Sequence, residues 1–314
     1  MVAGKNVNLD LNGKTISRGL TAKRAGGQVL TVYGVLDIKS SVGEGIVTGG
    51  FGEGGGGVLL SSTHANLTLN SGATISNNQA NTGGAVYVTG GANLTLNGGK
   101  ISENKVYVSG GGVFVANGVF NIKSGTITGN KSISSSNNIL GGGVALDSLS
   151  AKAIMTGGTI SKNEAQKGAG VSMLAGAQFV MNTGTITENV YDVQGGGVWG
   201  WHDKISVKFT MTGGTISNNT PISTSGYHAG GGVWMGEYAE TEITGGTVSG
   251  NVCTNEAGFV ASGKLNMFGG TIRGNKGGYG GVFCGSNTQV NIKGNPKVTG
   301  NIATDGITSN FFRN

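Results

Sequence analysis

The chain has 314 residues, of which 64 are glycine and 11% are charged, and its formal net charge at pH 7 is +6. Apart from the adjacent Lys23 and Arg24, its 21 lysine and arginine residues are scattered singly, without the basic cluster typical of nucleic-acid binding. We interpret the charge as a solvated surface, with attraction to acidic glycans as the alternative. No apolar run is long enough to predict a transmembrane helix, and we expect no secretory leader before the first strand.

The first part of the chain predicts two irregular coils of β-structure, within residues 1–50. Short alternating runs lie at 7–17 (VNLDLNGKTIS), 29–40 (VLTVYGVLDIKS) and 45–50 (GIVTGG). The terminal repeats of a solenoid are usually less regular than the central ones. These runs therefore predict the beginning of a solenoid.

One sequence unit then repeats along the chain. LTLNSGATISNNQANTGGAVYV (67–88) is followed by LTLNGGKISENKVYVSGGGVFV (94–115), and weaker copies continue toward the C-terminus. Each unit holds three runs that alternate with period two, V-x-V, L-x-L and T-I-S, and such runs predict half-buried strands. One asparagine recurs with a spacing that is most often 26 residues. Its positions are Asn78, Asn104, Asn130, Asn163, Asn189, Asn219, Asn251, Asn275 and Asn301.

This period predicts an all-β fold, a right-handed parallel β-helix of about 11 coils with three short strands and ~26 residues in each coil. The alternation points Val86, Val88, Leu94, Leu96 and Ile101 inward, where the aliphatic side chains of successive coils stack. The recurring asparagine lies at a turn, where stacked amides can hydrogen-bond from coil to coil.

The repeat covers nearly the whole chain and predicts a single domain over 1–314. Within it we expect regular repeats at 51–301 and a C-terminal end at 302–314. Because no capping helix is predicted at either end, we expect an excised segment of a larger surface protein.

The two cysteines, Cys253 and Cys284, are more than one coil apart in sequence. Cys284 occupies an inward position of the V-x-V strand, whereas Cys253 follows a recurring asparagine in a turn. We therefore predict two buried or half-buried thiols, with neither a disulfide nor a metal site.

The repeated motifs LDLNGKTIS, GIVTGG and GG-T-I-S-x-N…GGGV-x-V resemble those of the right-handed β-helix repeat proteins on the surfaces of gut and other anaerobic bacteria. GGAV (83–86) and ISNN (75–78) are similar to the paired motifs of polymorphic outer-membrane protein and autotransporter passengers. The architecture is also shared with pectate-lyase-like enzymes and phage tailspikes. The resemblance, over residues 5 to about 301, implies a secreted or surface-anchored rod that is adhesin-like or binds glycans.

An unusual cluster of aromatic residues breaks the repeat between residues 197 and 238. The middle residue of each V-x-V strand faces outward, so Trp199 and Trp234, in successive coils, are expected side by side. Exposed aromatic rings beside polar groups are suited to stacking on sugar rings. The predicted ligand-binding residues, here called the aromatic edge, are Trp199, Trp201, His202, Asp203, Tyr227, His228, Trp234, Glu237 and Tyr238.

Two insertions, at 131–140 and 220–229, leave the same corner of the coil just before the glycine run. We expect them to form lips along that edge, with Tyr227 and His228 on the second. In the alternative interpretation, the insertions or a neighbouring domain cover the aromatic rings, which then serve local packing.

Catalysis is a further alternative. Asp203 and Glu237, on adjacent coils, could serve as acid and base of a polysaccharide lyase or glycoside hydrolase. The sequence lacks an aligned acid cluster on the strands of the kind that binds Ca²⁺, and it lacks the GGxGxD repeat, so no metal and no cofactor are predicted.

The T-I-S strands carry outward hydroxyl groups that resemble the ice-binding faces of antifreeze β-helices. β-Propensity and hydroxyl ladders also account for this composition. The sequence favours an extracellular, non-enzymatic rod of the bacterial cell surface that binds polysaccharide or a host glycan through the aromatic edge, with no nucleic-acid partner.

Overall fold

The computed structural model describes residues 4–134 and 139–313 and confirms the predicted fold class. Parallel strands stack as a β-solenoid of about 11 turns with about 27 residues per turn. No helix occurs within the described residues. The strands form three ladders that match the three predicted runs, and a fourth that the sequence did not predict.

The V-x-V ladder is an 11-stranded parallel sheet that carries the candidate site on its outer face. Valine recurs at its inward positions because a β-branched side chain packs well on a pleated, half-buried surface. Its strands are Leu30–Val32, Val58–Ser61, Val86–Thr89, Val113–Val115, Val144–Asp147, Val171–Leu174, Val198–Gly200, Val233–Met235, Ala257–Ala261, Gly280–Cys284 and Phe311–Arg313.

The L-x-L and T-I-S ladders merge into one 18-stranded sheet. Four long strands run through both ladders: Ala92–Ser102, Gly118–Thr128, Ala151–Ser161 and Gln178–Thr187. The other L-x-L strands are Asn6–Asp10, Val35–Lys39, Asn66–Asn70, Lys208–Met211, Glu240–Ile243, Lys264–Met267 and Gln289–Ile292. The other T-I-S strands are Thr15–Ser17, Gly45–Thr48, Ala73–Ser76, Thr215–Ser217, Thr247–Ser249, Thr271–Arg273 and Lys297–Thr299.

The fourth ladder follows the recurring asparagine and was missed because its short strands are mostly polar. Seven strands pair in parallel here, and two further strands, Lys276–Gly277 and Ile302–Ala303, pair separately. Both insertions begin in this ladder, and residues 135–138 of the first lie outside the described part. The seven strands are Phe51–Gly54, Gln79–Thr82, Lys105–Ser109, Lys131–Ser132, Glu164–Lys167, Val190–Gln194 and Thr220–Pro221.

The core runs the length of the solenoid, and the five side chains predicted to point inward are fully buried in it. Phe179 and Phe209 stack inside it, with ring centroids 5.6 Å apart and planes 10° apart. Cys284 belongs to this core, whereas Cys253 packs in a smaller cluster with Tyr191. Both cysteines are buried free thiols, as predicted. Burial raises the pKa of Cys253 to about 12 and that of Cys284 to about 11.

The recurring asparagines form a buried hydrogen-bonded ladder, which confirms that prediction. Oδ1 of Asn104 accepts from the backbone N–H of Asn78 at 3.0 Å and from its Nδ2 at 3.1 Å. Nδ2 of Asn104 donates in turn to Oδ1 of Asn130 at 2.9 Å and to the Ile75 carbonyl at 3.0 Å. The same pattern continues to Asn301 and from there to Asn310.

The residue before each ladder asparagine adopts the left-handed conformation. Glu103, Lys162 and Glu188 do so with φ of 56°. Glycine takes the equivalent place at Gly129 and Gly274, with φ of 66° and 62°. Since this region is unfavourable for residues with a Cβ atom, the corner imposes strain wherever glycine is absent.

Candidate functional site

The outward residues of the V-x-V ladder form one column along the solenoid, as predicted. Trp199 pairs in register with Trp234, and their rings stack with centroids 6.0 Å apart and planes 13° apart. Tyr87 and Phe114 stack in the same way at 5.3 Å. From the N-terminal end, the column is Thr31, Leu59, Tyr87, Phe114, Ala145, Ser172, Trp199, Trp234, Val260, Phe283 and Phe312.

Trp199 is covered by its neighbours, so the prediction that its ring is exposed is wrong. The residue is only 3% exposed. Trp234 stacks on one face, and the Lys167 ammonium group lies 5.7 Å from the ring centroid. The indole N–H donates to Oε1 of Gln194 at 3.2 Å. Trp199 therefore supports Trp234 and does not offer a surface to a ligand.

Trp201 lies in the turn after this strand and is 42% exposed, as predicted. A Cβ atom on Gly236 would lie 2.5 Å from Cδ1 of Trp201 and 3.3 Å from Cζ3 of Trp234. Glycine at this position lets both rings approach the backbone closely. Trp201, Gly236 and the half-buried Trp234 thus form a continuous apolar surface.

His202 and Asp203 complete this turn. Nδ1 of His202 accepts from the backbone N–H groups of Lys204 and Ile205, both at 3.1 Å. Oδ1 of Asp203 lies 2.9 Å from the same nitrogen. The imidazole ring is tilted by 35° from the Trp201 ring at a centroid distance of 6.4 Å. The turn therefore presents an aromatic ring beside an exposed carboxylate.

Tyr227 and His228 lie at the opposite edge of the V-x-V ladder, on the second insertion. Tyr227 is 48% exposed, and its hydroxyl donates to Oε1 of Glu256. His228 is only 1% exposed. Its ring nitrogens contact the backbone carbonyls of Asp192 and Ser225, the latter at 3.1 Å from Nε2. Both nitrogens are occupied in holding the insertion, so His228 does not belong to the exposed surface that the sequence analysis expected.

Glu256 connects Tyr227 with the column. Burial raises the pKa of Glu256, and contacts from the Tyr227 hydroxyl and the Trp234 indole lower it by less. Burial also raises the pKa of the Tyr227 hydroxyl. Within the described residues, Oε2 of Glu256 is buried without a hydrogen bond of normal geometry. This carboxyl group was missed in the sequence because it lies in an irregular loop outside the three predicted runs.

An open groove of about 220 Å³ lies beside the turn that follows the V-x-V strands. It crosses four successive coils and includes the predicted residues Glu237 and Tyr238. Tyr238 is 51% exposed. This surface is called the Tyr238 groove, and its lining residues are Ser206, Glu237, Tyr238, Ala239, Glu240, Gly263, Lys264, Asn287 and Gln289.

The polar groups of the Tyr238 groove fall into two kinds. Glu240 is engaged in ion pairs, with Lys264 at 3.1 Å and with Lys208 at 3.9 Å. Four other side chains of the groove are exposed and make no hydrogen bond or ion pair to any part of the protein that the structure describes. They are Glu237, Tyr238, Asn287 and Gln289.

Asn287 and Gln289 were missed, although the repeat contained the signal that locates them. Both follow the strand Gly280–Cys284, just as Trp201 follows Val198–Gly200 and Tyr238 follows Val233–Met235. If the turns after the V-x-V strands are aligned for two more coils, Asn287 and Gln289 fall at the same edge as Trp201 and Tyr238.

A second groove, also of about 220 Å³, lies on the fourth ladder between the two insertions, and not along the aromatic edge where the sequence analysis expected them to form lips. Neither Tyr227 nor His228 lines it. Its lining residues are Ser132, Ser134, Ile139, Glu164, Ala165, Gln166, Asp192 and Ile222.

Asp203 and Glu237, the acid pair of the catalytic alternative, are both exposed to solvent.

In the described part of the chain, no group of three or more His, Cys, Asp or Glu side chains is arranged to hold a metal ion. Nor does that part contain a helix that could span a membrane.

Comparisons with protein-family models, with curated proteins and with solved structures gave no match.

Proposed function

We propose that this chain is an extracellular, non-enzymatic, adhesin-like rod that binds polysaccharide along the Tyr238 groove and the neighbouring Trp201 turn. The observation that carries the proposal is the combination of exposed aromatic rings with unengaged polar side chains. Trp201 and Tyr238 are about half exposed, and Glu237, Asn287 and Gln289 lie beside Tyr238. An aromatic ring that stays exposed next to free hydrogen-bonding groups suits a ligand with both apolar faces and hydroxyl groups, such as a sugar.

The shape of the groove supports a polymeric ligand. The lining residues come from four successive coils, and coils stack ~4.8 Å apart, so the groove extends along the axis of the solenoid for more than 10 Å. A chain of sugars lying parallel to this axis meets a new set of side chains at each coil. The extracellular location is supported by the resemblance of the repeats to those of bacterial surface β-helix proteins.

Affinity electrophoresis through gels cast with neutral and acidic polysaccharides tests the proposal. Retardation of the wild-type chain is expected in at least one polymer. Trp201→Ala and Tyr238→Ala should each weaken the apparent affinity at least about fivefold, since an aromatic contact contributes ~1 kcal/mol. Tyr33→Ala is the matched control, because Tyr33 is 41% exposed and lies outside the groove.

Two results would contradict the proposal. Absence of retardation in every polymer, or equal loss of affinity in the Tyr33→Ala control, would remove the assignment of glycan binding to the groove. Staining the gel for remaining polymer tests the catalytic alternative, since a cleared zone would indicate cleavage and direct attention to Asp203 and Glu237.

A further inference from the structure

The segment that carries the candidate site differs in charge from the rest of the chain. Residues 199–264 contain five acidic and three basic residues, a formal charge of −2, whereas the whole chain carries +6. The acidic residues are Asp203, Glu237, Glu240, Glu242 and Glu256. The net charge of the chain therefore says little about the ligand of this segment.

We infer that the Tyr238 groove selects neutral polysaccharides and rejects polyanionic ones, an inference that rests on the proposed function. Lys264 lines the groove, and Lys208 lies beside it on the other side of Glu240. Both of them, Lys208 and Lys264, pair with the same carboxylate of Glu240. Their positive charge is thus partly neutralised within the protein, and neither ammonium group is free to bind an anion by itself.

Glu237 adds a repulsive element at the same place. Its carboxylate is exposed in the groove and, within the described chain, has no cationic partner. A second negative charge brought to ~4 Å from it at a protein surface would be disfavoured strongly enough to weaken binding at least about tenfold. Specificity often depends on such a repulsive contact as well as on attractive ones.

The remaining groups match neutral hydroxyl groups. The amides of Asn287 and Gln289 each offer a donor and an acceptor, and the Tyr238 hydroxyl offers both as well. A sugar hydroxyl has the same dual character, so these side chains can bind it in either orientation without a charged partner. Uncharged donors and acceptors around an exposed ring therefore favour a neutral glycan over a charged one.

Paired polymers that share a backbone test this inference directly. Dextran, galactan and mannan would each be compared with their sulfated derivatives in affinity electrophoresis at low salt. We expect at least one neutral polymer to retard the chain and its sulfated form to bind at least about tenfold more weakly. Glu237→Gln should reduce this preference at least about threefold, whereas Glu103→Gln, which removes the same charge outside the groove, should leave it unchanged.

The outcomes separate this inference from the proposed function. Stronger binding of a sulfated polymer than of its neutral parent would overturn the neutral preference while leaving glycan binding in place. An unchanged preference in Glu237→Gln would overturn the role of this carboxylate. If neither the neutral nor the sulfated polymers retard the chain, both the inference and the proposed function fail.

Discussion

The indole ring of Trp199 stacks against that of Trp234 at a centroid distance of 6.0 Å, and Trp199 is only 3% exposed. The two residues have the same place in the repeat but different roles. Trp199 is part of the packed outer face, and Trp234 extends that face toward the exposed ring of Trp201. The first prediction follows from this difference.

Trp199→Ala should lower the free energy of unfolding by ~3 kcal/mol or more, because truncation of a buried aromatic side chain leaves a cavity. Trp201→Ala should lower it by clearly less, because 42% of the residue's surface is already exposed. Urea denaturation followed by circular dichroism measures both values. Equal effects of the two substitutions would contradict the assignment of packing to one tryptophan and exposure to the other.

The asparagine ladder predicts a large effect from a small substitution. Asn189→Ala removes the acceptor for the backbone N–H and the side-chain amide of Asn163, and the donor to the Ile160 carbonyl. Each buried group left without a partner costs ~1–3 kcal/mol, so a loss of at least ~3 kcal/mol is expected. Asn182→Ala is the control, since Asn182 is exposed on the surface and, within the described residues, its side chain accepts one hydrogen bond, from Thr212. Similar thermal midpoints for the two variants would contradict the ladder's role.

The left-handed conformation of the residue before each ladder asparagine offers a site for a stabilising substitution. Glu103→Gly should stabilise the chain by ~1 kcal/mol, because glycine adopts a φ of 56° without steric cost. Gly274→Ala should destabilise it by a similar amount, although a Cβ atom there would meet open space. The free energy of unfolding in urea tests both signs. Stabilisation by Gly274→Ala would show that left-handed strain is not the controlling factor.

The two thiols should be unreactive in the folded chain. Their pKa values of about 12 and 11 keep them protonated at neutral pH, and only the thiolate reacts rapidly. Labelling with a maleimide is therefore expected to be slow in buffer and complete in denaturant. Mass spectrometry of the labelled peptides identifies each site, and rapid labelling of Cys253 in buffer would show that its cluster opens locally.

Glu256 predicts a pH dependence of stability. Burial raises its pKa in the folded chain, so the folded state retains a proton over a range in which the unfolded chain has lost it. The free energy of unfolding should therefore fall as pH rises from the ordinary glutamate range through the folded pKa. Glu256→Gln should remove this contribution, which urea denaturation between about pH 4 and about pH 7 would reveal as a difference in slope. Parallel profiles for the two proteins would contradict it.

Much of the fold could be predicted from the sequence because each coil repeats the same pattern of buried and hydrogen-bonded residues. Alternating aliphatic residues such as Val86 and Val88 specify the inward face, and the regular spacing of the asparagines specifies the coil. The fourth ladder escaped prediction because strands such as Gln79–Thr82 bury little apolar surface and leave almost no alternation to detect.

The candidate site was predictable only in part. The register placed Trp199 beside Trp234, but the burial of Trp199 depends on Gln194 and Lys167, which come from other strands and have no periodic signal. Asn310 likewise joins the ladder only nine residues after Asn301, because an intervening turn returns the chain to the same corner. Such contacts depend on side-chain conformations and on loop paths, which the repeat does not encode.

The amide ladder also has a direction. From Asn78 onward each asparagine donates through Nδ2 to the member that follows it in sequence, and from Asn104 onward each accepts through Oδ1 from the member that precedes it. Each coil therefore offers a donor to the next coil and an acceptor to the previous one. Tandem duplication of one 26-residue unit, such as the interval from Asn78 to Asn104, would lengthen the solenoid by ~4.8 Å and continue the asparagine ladder through the added coil. The length of the solenoid can thus change by whole coils without a change in the way that neighbouring coils join.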